Sequence, residues 1–456
     1  MASDPFITLI RDYGMIPPGA KVLCAVSGGA DSVCLLNRLY WLGLFSPEPF
    51  TVVAAHFNHH LRGEESDRDE QFVRDLVSTI GSKYAHYLSY DKKWLSPPPI
   101  DLIVGHGDVA AQAKARKQGI EETARQMRYE FLYETAQKIG ADRIATAHNA
   151  DDNLETILLN LARGTGLQGL TGIAPRQGML IRPLLTTTRK AIMKYLRAHG
   201  LPHVEDSTNA DETYTRNRMR RQVLPLLEEF NPALRENSID TIRYLRADND
   251  HLNAQAALIS AQARQGSEGV SIAASAIAGA PDPLAARAVR QLLGMTDKGS
   301  TDCSAAHLEG LVALCRGDGP SALLHLPHGL TARREYERLI ITDRPVTLAP
   351  LVAFVPCEGE NPVPGTGWTV VLSVPPWEGL TVRPRQTGDE LTLPGRPRRS
   401  LKRLLIDRKI PRLSRDTIPV VADDEGVLAV AGLGPNTGHP RFQTVQIIPQ
   451  KEENGK

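Results

Sequence analysis

Apolar positions along the chain change their spacing twice, and the changes divide it. Residues 21–26 form a short apolar run, 33–42 carry apolar residues at helical spacing, and 51–57 form a second run. Two further strand-like runs, 100–104 and 143–147, are separated by a polar, helix-favouring stretch from 108 to 140. Such alternation predicts a parallel sheet with helices on both faces, and ligands in such folds bind at the carboxyl ends of the strands. From residue 224 to about 341 the pattern turns mostly helical, with Ala-rich segments at 254–263 and 283–293 and Gly-Ser and Gly-Asp-Gly breaks. The Pro- and Gly-rich stretch 348–364 reads as a linker or loose edge. Beyond it, 368–374, 380–384 and 426–431 read as short strands around one helix at 401–407.

Three parts are therefore expected, as a length of 456 residues allows: an α/β domain over 1–225, a helical middle domain over 226–345 and a small α+β C-terminal domain over 346–456. The apolar fraction of 41% fits a globular protein, and no stretch approaches the roughly 18 apolar residues of a membrane span. Asp4, Arg11 and Asp12 argue against a secretory signal, so the cytoplasm is the expected location and no membrane partner is expected. The five cysteines, Cys24, Cys34, Cys303, Cys315 and Cys357, form no CxxC pair, which argues against a disulfide scaffold, a zinc site or an iron–sulfur cluster. A net charge of +1 says little about partners until its distribution is considered.

The first apolar run opens into Ser27-Gly28-Gly29-Ala30-Asp31-Ser32. Glycines there let backbone amides approach a phosphate, Ser27 and Ser32 can donate hydroxyl hydrogen bonds, and the following helix turns its N-terminus toward the anion. Asp31 would repel bare phosphate, but Mg2+ between them makes a bridge, so Asp31 is a candidate metal ligand. The loop lacks the Lys of GxxxxGK[ST] and the spacing of GxGxxG. A plain strand-turn-helix joint capped by Ser and Asp is the alternative.

A second acidic cluster, His148-Asn149-Ala150-Asp151-Asp152-Asn153-Leu154-Glu155-Thr156, follows the 143–147 run. On a helix, Asp152 and Glu155 project from one face, and neighbouring carboxylates are costly without a cation between them. Mg2+ held jointly with ATP and Asp31 is the natural candidate; a helix N-terminus dressed with acids is the bland one. Arg163, beside the glycines that end this helix, faces either triphosphate or only the helix C-terminus. His56-Phe57-Asn58-His59 puts His56 and Asn58 near an adenosine site, with zinc the weaker option. In Glu121-Glu122-Thr123-Ala124-Arg125-Gln126-Met127-Arg128-Tyr129, Arg125 either pairs with Glu121 or, with Arg128, clamps phosphate or RNA.

Residues 396–415 hold nine basic side chains against one acidic. Leu401, Leu404 and Leu405 can pack inward while Arg398, Arg399, Lys402 and Arg403 stay in solvent, a stripe suited to RNA phosphates or merely to water. Arg216, Arg218, Arg220 and Arg221 form a second basic cluster.

The ordered set of motifs resembles the tRNA(Ile)-lysidine synthetases, within the ATP-pyrophosphatase group that shares the SGGxDS loop. The match runs from Ser27–Ser32 through His56 to His59, Glu121 to Tyr129, His148 to Thr156 and Arg163-Gly164-Thr165-Gly166, then Asp206-Ser207-Thr208-Asn209, Arg216-Asn217-Arg218 and residues 402–419. It covers almost the whole chain apart from the helical middle. The resemblance implies a Rossmann-like sheet and ATP-dependent attachment of L-lysine to the wobble cytidine of the CAU-anticodon isoleucine tRNA. In that chemistry ATP adenylates the C2 oxygen of the base with loss of pyrophosphate, and the lysine amine then displaces AMP. By the same resemblance Asp31 and Asp152 hold Mg2+, with Glu155 sharing that task or orienting the lysine amine, Arg125 and the residues around Arg163 recognise phosphate or lysine, and the basic tail contacts the acceptor end of the tRNA. A homodimer is compatible with it. Asn149 stands where the family usually has a second histidine, which weakens any role given to that imidazole. A tRNA thiolase, an ammonia-using synthetase and a non-catalytic RNA-binding protein are the rival readings; missing paired cysteines count against the first, the basic tail against the second, and three retained carboxylates against the third.

Overall fold

The computed structural model describes residues 4–61, 63–88, 99–205, 215–317, 319, 321–344 and 351–450. The chain forms two compact units, residues 1–249 and 250–456.

The first unit is built on a six-stranded sheet. Its strands are β1 (Lys21–Ala25), β2 (Thr51–Asn58), β3 (Asp101–His106), β4 (Arg143–Ala145), β5 (Arg176–Gln177) and β6 (Leu180–Ile181). They lie in the order β3-β2-β1-β4-β6-β5, parallel except for the antiparallel β5 at the edge. The four strands expected from the apolar runs are β1 to β4; β5 and β6, two residues each, are too short to show a period of two.

The helices of this unit are α1 (Pro5–Asp12), α2 (Ala30–Phe45), α3 (Glu64–Leu88), α4 (Val109–Arg116), α5 (Ile120–Ile139), α6 (Ala150–Arg163), α7 (Leu167–Leu170), α8 (Arg189–Ala198), α9 (Thr215–Arg218), α10 (Leu224–Phe230) and α11 (Leu234–Ser260), which continues into the second unit. Alternation along the strands explains why helices cover both faces. Val22, Cys24, Val52 and Ala54 pack with Leu35, Leu36 and Leu39 of α2 on one side, while Leu23, Val53 and Ala55 pack with Leu132 and Ala136 of α5 on the other. With β1 between β2 and β4, the carboxyl ends of three adjoining strands open on one edge, and all the motif loops start there.

The second unit holds the helices Ala274–Ala278, Asp282–Gly294 and Ala305–Arg316 expected of a helical middle. They pack on a five-stranded antiparallel sheet of Arg264–Gly266, Gly269–Ala273, Arg338–Thr342, Thr331–Glu335 and Ser321–His325. The helical reading did not include that sheet, whose strands are only three to five residues long. Further on, Trp368–Leu372, Thr381–Arg383 and Gly426–Val430 are strands and Leu401–Asp407 is a helix, as expected. Residues 359–363, within the stretch read as a linker or loose edge, form the edge strand of a three-stranded sheet and pair with Trp368–Leu372. The Asn361 side chain fastens that strand by accepting from Cys357 N at 2.7 Å and donating to Cys357 O at 2.7 Å.

Candidate active site

The phosphate turn begins where β1 stops. Gly28 has φ +89°, which an L side chain rarely adopts, and a Cβ there would lie 3.3 Å from Phe72 and 3.5 Å from Val73 of α3. Gly29 caps α2 without a side-chain hydrogen bond, so the first amides of that helix are open to an anion. The two serines shape the cup. Ser32 Oγ donates to Gly29 O at 2.8 Å and accepts from Ser27 N at 3.2 Å, while Ser27 Oγ lies 3.2 Å from Ser32 Oγ. Behind the turn, Val204 N donates to Gly28 O at 3.0 Å.

Asp31 leaves the first turn of α2 toward the same opening. Its Oδ1 is buried and has no hydrogen-bond partner among the described residues, although the Arg189 guanidinium comes to 2.5 Å as an ion pair. From the neighbouring strand, β4, the chain enters α6 through a reciprocal cap. Asn149 Oδ1 accepts from Asp152 N at 3.0 Å and Asp152 Oδ2 accepts from Asn149 N at 3.1 Å. Withdrawal from water pushes the Asp152 carboxyl up to about 6, with the charges of Glu155 and Asp31 adding to the rise and the Asn149 amide and Arg216 opposing it. Asp31 and Asp152 line one cleft of about 670 Å³, together with Ser27, Gly29, Arg189 and Arg216.

Glu155 is fully buried and directed at arginines. Arg216 Nε donates to Oε2 at 3.1 Å, and Arg220 donates to Oε1 at 2.6 Å and to Oε2 at 3.1 Å. Arg220 also reaches Asp152 Oδ1 at 3.4 Å. The cation required between these carboxylates is thus supplied, on the Glu155 side, by two side chains four residues apart around the junction of α9 with the π-helical turn Met219–Val223. Asp151 points elsewhere: it accepts from Arg189 N at 3.0 Å and pairs with Arg235 of α11, tying α6 to α8 and α11.

The far end of the cleft is lined by His56, Phe57, Asn58 and His59 at the end of β2. His56 Nδ1 lies 2.8 Å from Val26 O, and burial depresses its basicity, so the imidazole is neutral with Nδ1–H assigned as the donor. Asn58 is buried, donating to Asp67 Oδ1 at 3.2 Å and Glu70 Oε2 at 3.1 Å, which locks β2 to α3. His148, at the mouth of α6, is held neutral, its basicity depressed to about 3 by burial first and then by Arg182, Arg125, Arg128 and Arg216. Among the described residues no group of three His, Cys, Asp or Glu side chains is arranged to hold a metal by itself. Mg2+ does not need one, since it commonly takes one or two carboxylates with phosphate oxygens and water.

Two expected site residues stand off this cleft. Arg125 is exposed on α5 over the Tyr129 ring, 5.1 Å from its centroid; Arg128, one turn on, lines the cleft instead. Arg163 is exposed at the end of α6 and does not line the cleft. Arg62 and the segment Asp206-Ser207-Thr208-Asn209 lie outside the described residues. Sequence reasoning did not single out Arg189, nor the pairing of Arg216 and Arg220 with Glu155. The four-residue spacing of those two arginines, matched to acids at 152 and 155, was the available signal.

In the second unit Leu401, Leu404 and Leu405 are buried and Lys402 and Arg403 exposed, as the amphipathic pattern required. Arg398 pairs with Glu390 at 2.5 Å and Arg399 with Asp407 at 3.2 Å, so part of the stripe is neutralised. Arg415 is not part of it. It is buried, donating to Ile410 O and Tyr336 Oη.

Comparison with known proteins covers the same three regions. Residues 8–227 match the PP-loop domain, 273–340 the TilS substrate binding domain and 380–446 the TilS substrate C-terminal domain. A tRNA(Ile)-lysidine synthase of Bacteroides thetaiotaomicron is 40% identical over 54% of this chain, and the chain spans about half (52%) of that relative. The tRNA(Ile)-lysidine synthase of Geobacillus kaustophilus is 31% identical over 97% of this chain and 98% of its own length, and that of Dehalococcoides mccartyi 32% over 95% of both. With such full-length relatives and all three domain matches in order, the chain belongs to the tRNA(Ile)-lysidine synthase family.

Proposed function

We propose that this chain is an enzyme that uses ATP to join L-lysine to the wobble cytidine of the CAU-anticodon isoleucine tRNA, through an adenylated base, with release of pyrophosphate and AMP. The observation that carries this reading is the convergence of an uncapped helix N-terminus, Asp31 and Asp152 from adjoining strand ends on one cleft.

The open amides of α2 with Ser27 and Ser32 hold the nucleotide's phosphates. Arg189 and Arg216, both on the cleft wall, balance the charge of departing pyrophosphate. Attack by the C2 oxygen of the base on the α-phosphorus forms the O–P bond and breaks the bond to pyrophosphate. The lysine amine then forms the C–N bond as AMP leaves. An ammonium cannot attack, so its proton passes to a nearby carboxylate or through one to water. Glu155, fixed by Arg216 and Arg220, orients the groups that meet there. The donor set fits Mg2+, since Asp31, whose Oδ1 pairs with Arg189, and Asp152 face the same cleft, and that ion commonly takes one or two carboxylates with phosphate oxygens and water. Bound Mg2+ would offset charge on the phosphates as pyrophosphate departs. Arg125 and Arg163, exposed beyond the cleft, and the Lys402–Arg403 stripe are assigned to the RNA backbone.

A sulfur-transfer reading has no support from the cysteines. Cys24 and Cys34 are buried with their thiols held protonated, the latter pushed up to about 12. The test is incubation with labelled lysine, Mg-ATP and unmodified tRNA(Ile) bearing CAU. Label in the tRNA at that cytidine is expected; pyrophosphate release with a different acceptor and no labelled tRNA would end the assignment.

A further inference from the structure

The wall of the cleft contributed by α3 holds a carboxylate that none of the roles above employs. Asp69 lines the cleft, and its Oδ1 is buried without a hydrogen-bond partner among the described residues. The cation recorded beside it, Arg68 Nη2, stands 3.7 Å away on a largely exposed side chain, beyond hydrogen-bond reach. A buried acceptor left in this state costs free energy that a bound donor would recover.

Its place in the fold narrows what the donor is. Phe72 and Val73 are the α3 residues that approach Gly28, and Asp69 lies three and four positions before them, on the same helix face and one turn away. The carboxylate therefore stands about 5 Å along the helix from the residues that touch the phosphate turn. His56, whose Nδ1 lies 2.8 Å from Val26 O immediately before the phosphate turn, also feels the Asp69 charge. Asp69 thus stands on the cleft wall beside the phosphate cup, with Ser66 one turn before it on the same wall. A phosphate would be repelled at this point and an aromatic base offers it only edges. Between the phosphates and the base of a nucleotide lies a ribose, whose hydroxyls are paired donors of the kind a carboxylate accepts.

We propose that Asp69 accepts hydrogen bonds from the ribose hydroxyls of the bound nucleotide and so selects ribonucleotide over deoxyribonucleotide. This rests on the cleft being the ATP site. The test is equilibrium binding of Mg-ATP, 2′-deoxy-ATP and 3′-deoxy-ATP to the full chain, without tRNA or lysine. Wild type is expected to bind at least one deoxy form about tenfold more weakly than ATP, the loss of one hydrogen bond to a charged acceptor. Asp69→Asn and Asp69→Ala are expected to lose about tenfold toward ATP and little toward that deoxy form, so the ratio collapses toward one. Equal binding of all three nucleotides by wild type overturns the proposal without any variant, should the variants fail to fold. So does a variant that keeps the wild-type ratio, or one in which the KM for lysine rises while the ratio stays, which would make the carboxylate an ammonium site. If wild type binds none of the three, the ATP reading of the cleft falls, and this inference with it.

Discussion

Asn149 and Asp152 hold each other: each side chain accepts the other's backbone amide, at 3.0 and 3.1 Å, and the pair starts α6. Asn149 is thus an N-cap that aims a candidate metal ligand. Asn149→Ala should cost about 1 kcal/mol of stability, as for other N-cap losses. It should also lower pyrophosphate release by freeing Asp152 to rotate. Denaturant unfolding and a pyrophosphate assay check the two effects; a stability loss with unchanged turnover would confine Asn149 to the cap.

Asp152→Asn should abolish pyrophosphate release while tRNA still binds, a contrast read by coupled assay and filter binding.

The raised Asp152 carboxyl makes a pH statement. In the unfolded chain this group ionises near pH 4, whereas in the folded protein it keeps its proton until about pH 6. Between those values the folded state binds the extra proton, so this group's contribution to stability falls as pH rises from about 4 to about 6 and is flat above. Mg2+ binding runs the other way, since it requires the ionised form and should weaken below pH 6. Calorimetric Mg2+ titration between pH 5 and 8, with Asp152→Asn as the flat control, measures this.

Glu155→Gln would leave Arg216 and Arg220 facing a neutral amide. Breaking a buried pair costs about 3–5 kcal/mol, but both arginines are about two-fifths exposed, so roughly 2 kcal/mol is expected. Chemical denaturation tests it; a loss below a few tenths would mean the arginines find other partners at once.

On the basic helix, Lys402→Glu and Arg403→Glu should weaken tRNA binding more than reversal at Arg398 or Arg399, which are paired to Glu390 and Asp407. Each lost phosphate contact should lower the salt slope by about 1. Filter binding across salt concentrations decides; equal effects at all four positions would show that the acidic partners do not screen them.

The local signals were legible without coordinates. Short apolar runs located β1 to β4, and leucines at helical spacing located the helix at 401–407, because an apolar face must meet a core at the spacing of its own element. The glycine turn could be read because Gly28 needs φ +89° and α2 needs open amides. The strands β5 and β6 are too short to announce a period, and in the second unit apolar runs of three to five residues do not by themselves separate strand from helix. Tertiary structure alone decided which charges meet. Glu155 reads as a candidate metal ligand, and only the fold shows that α9 and the π-helical turn after it bring Arg216 and Arg220 to it; Arg125 stands exposed off the cleft, and Asp69, one acid among many in the sequence, lines the cleft. Sequence spacing orders residues along an element, but the sign and reach of an electrostatic contact depend on distance across elements, which packing sets.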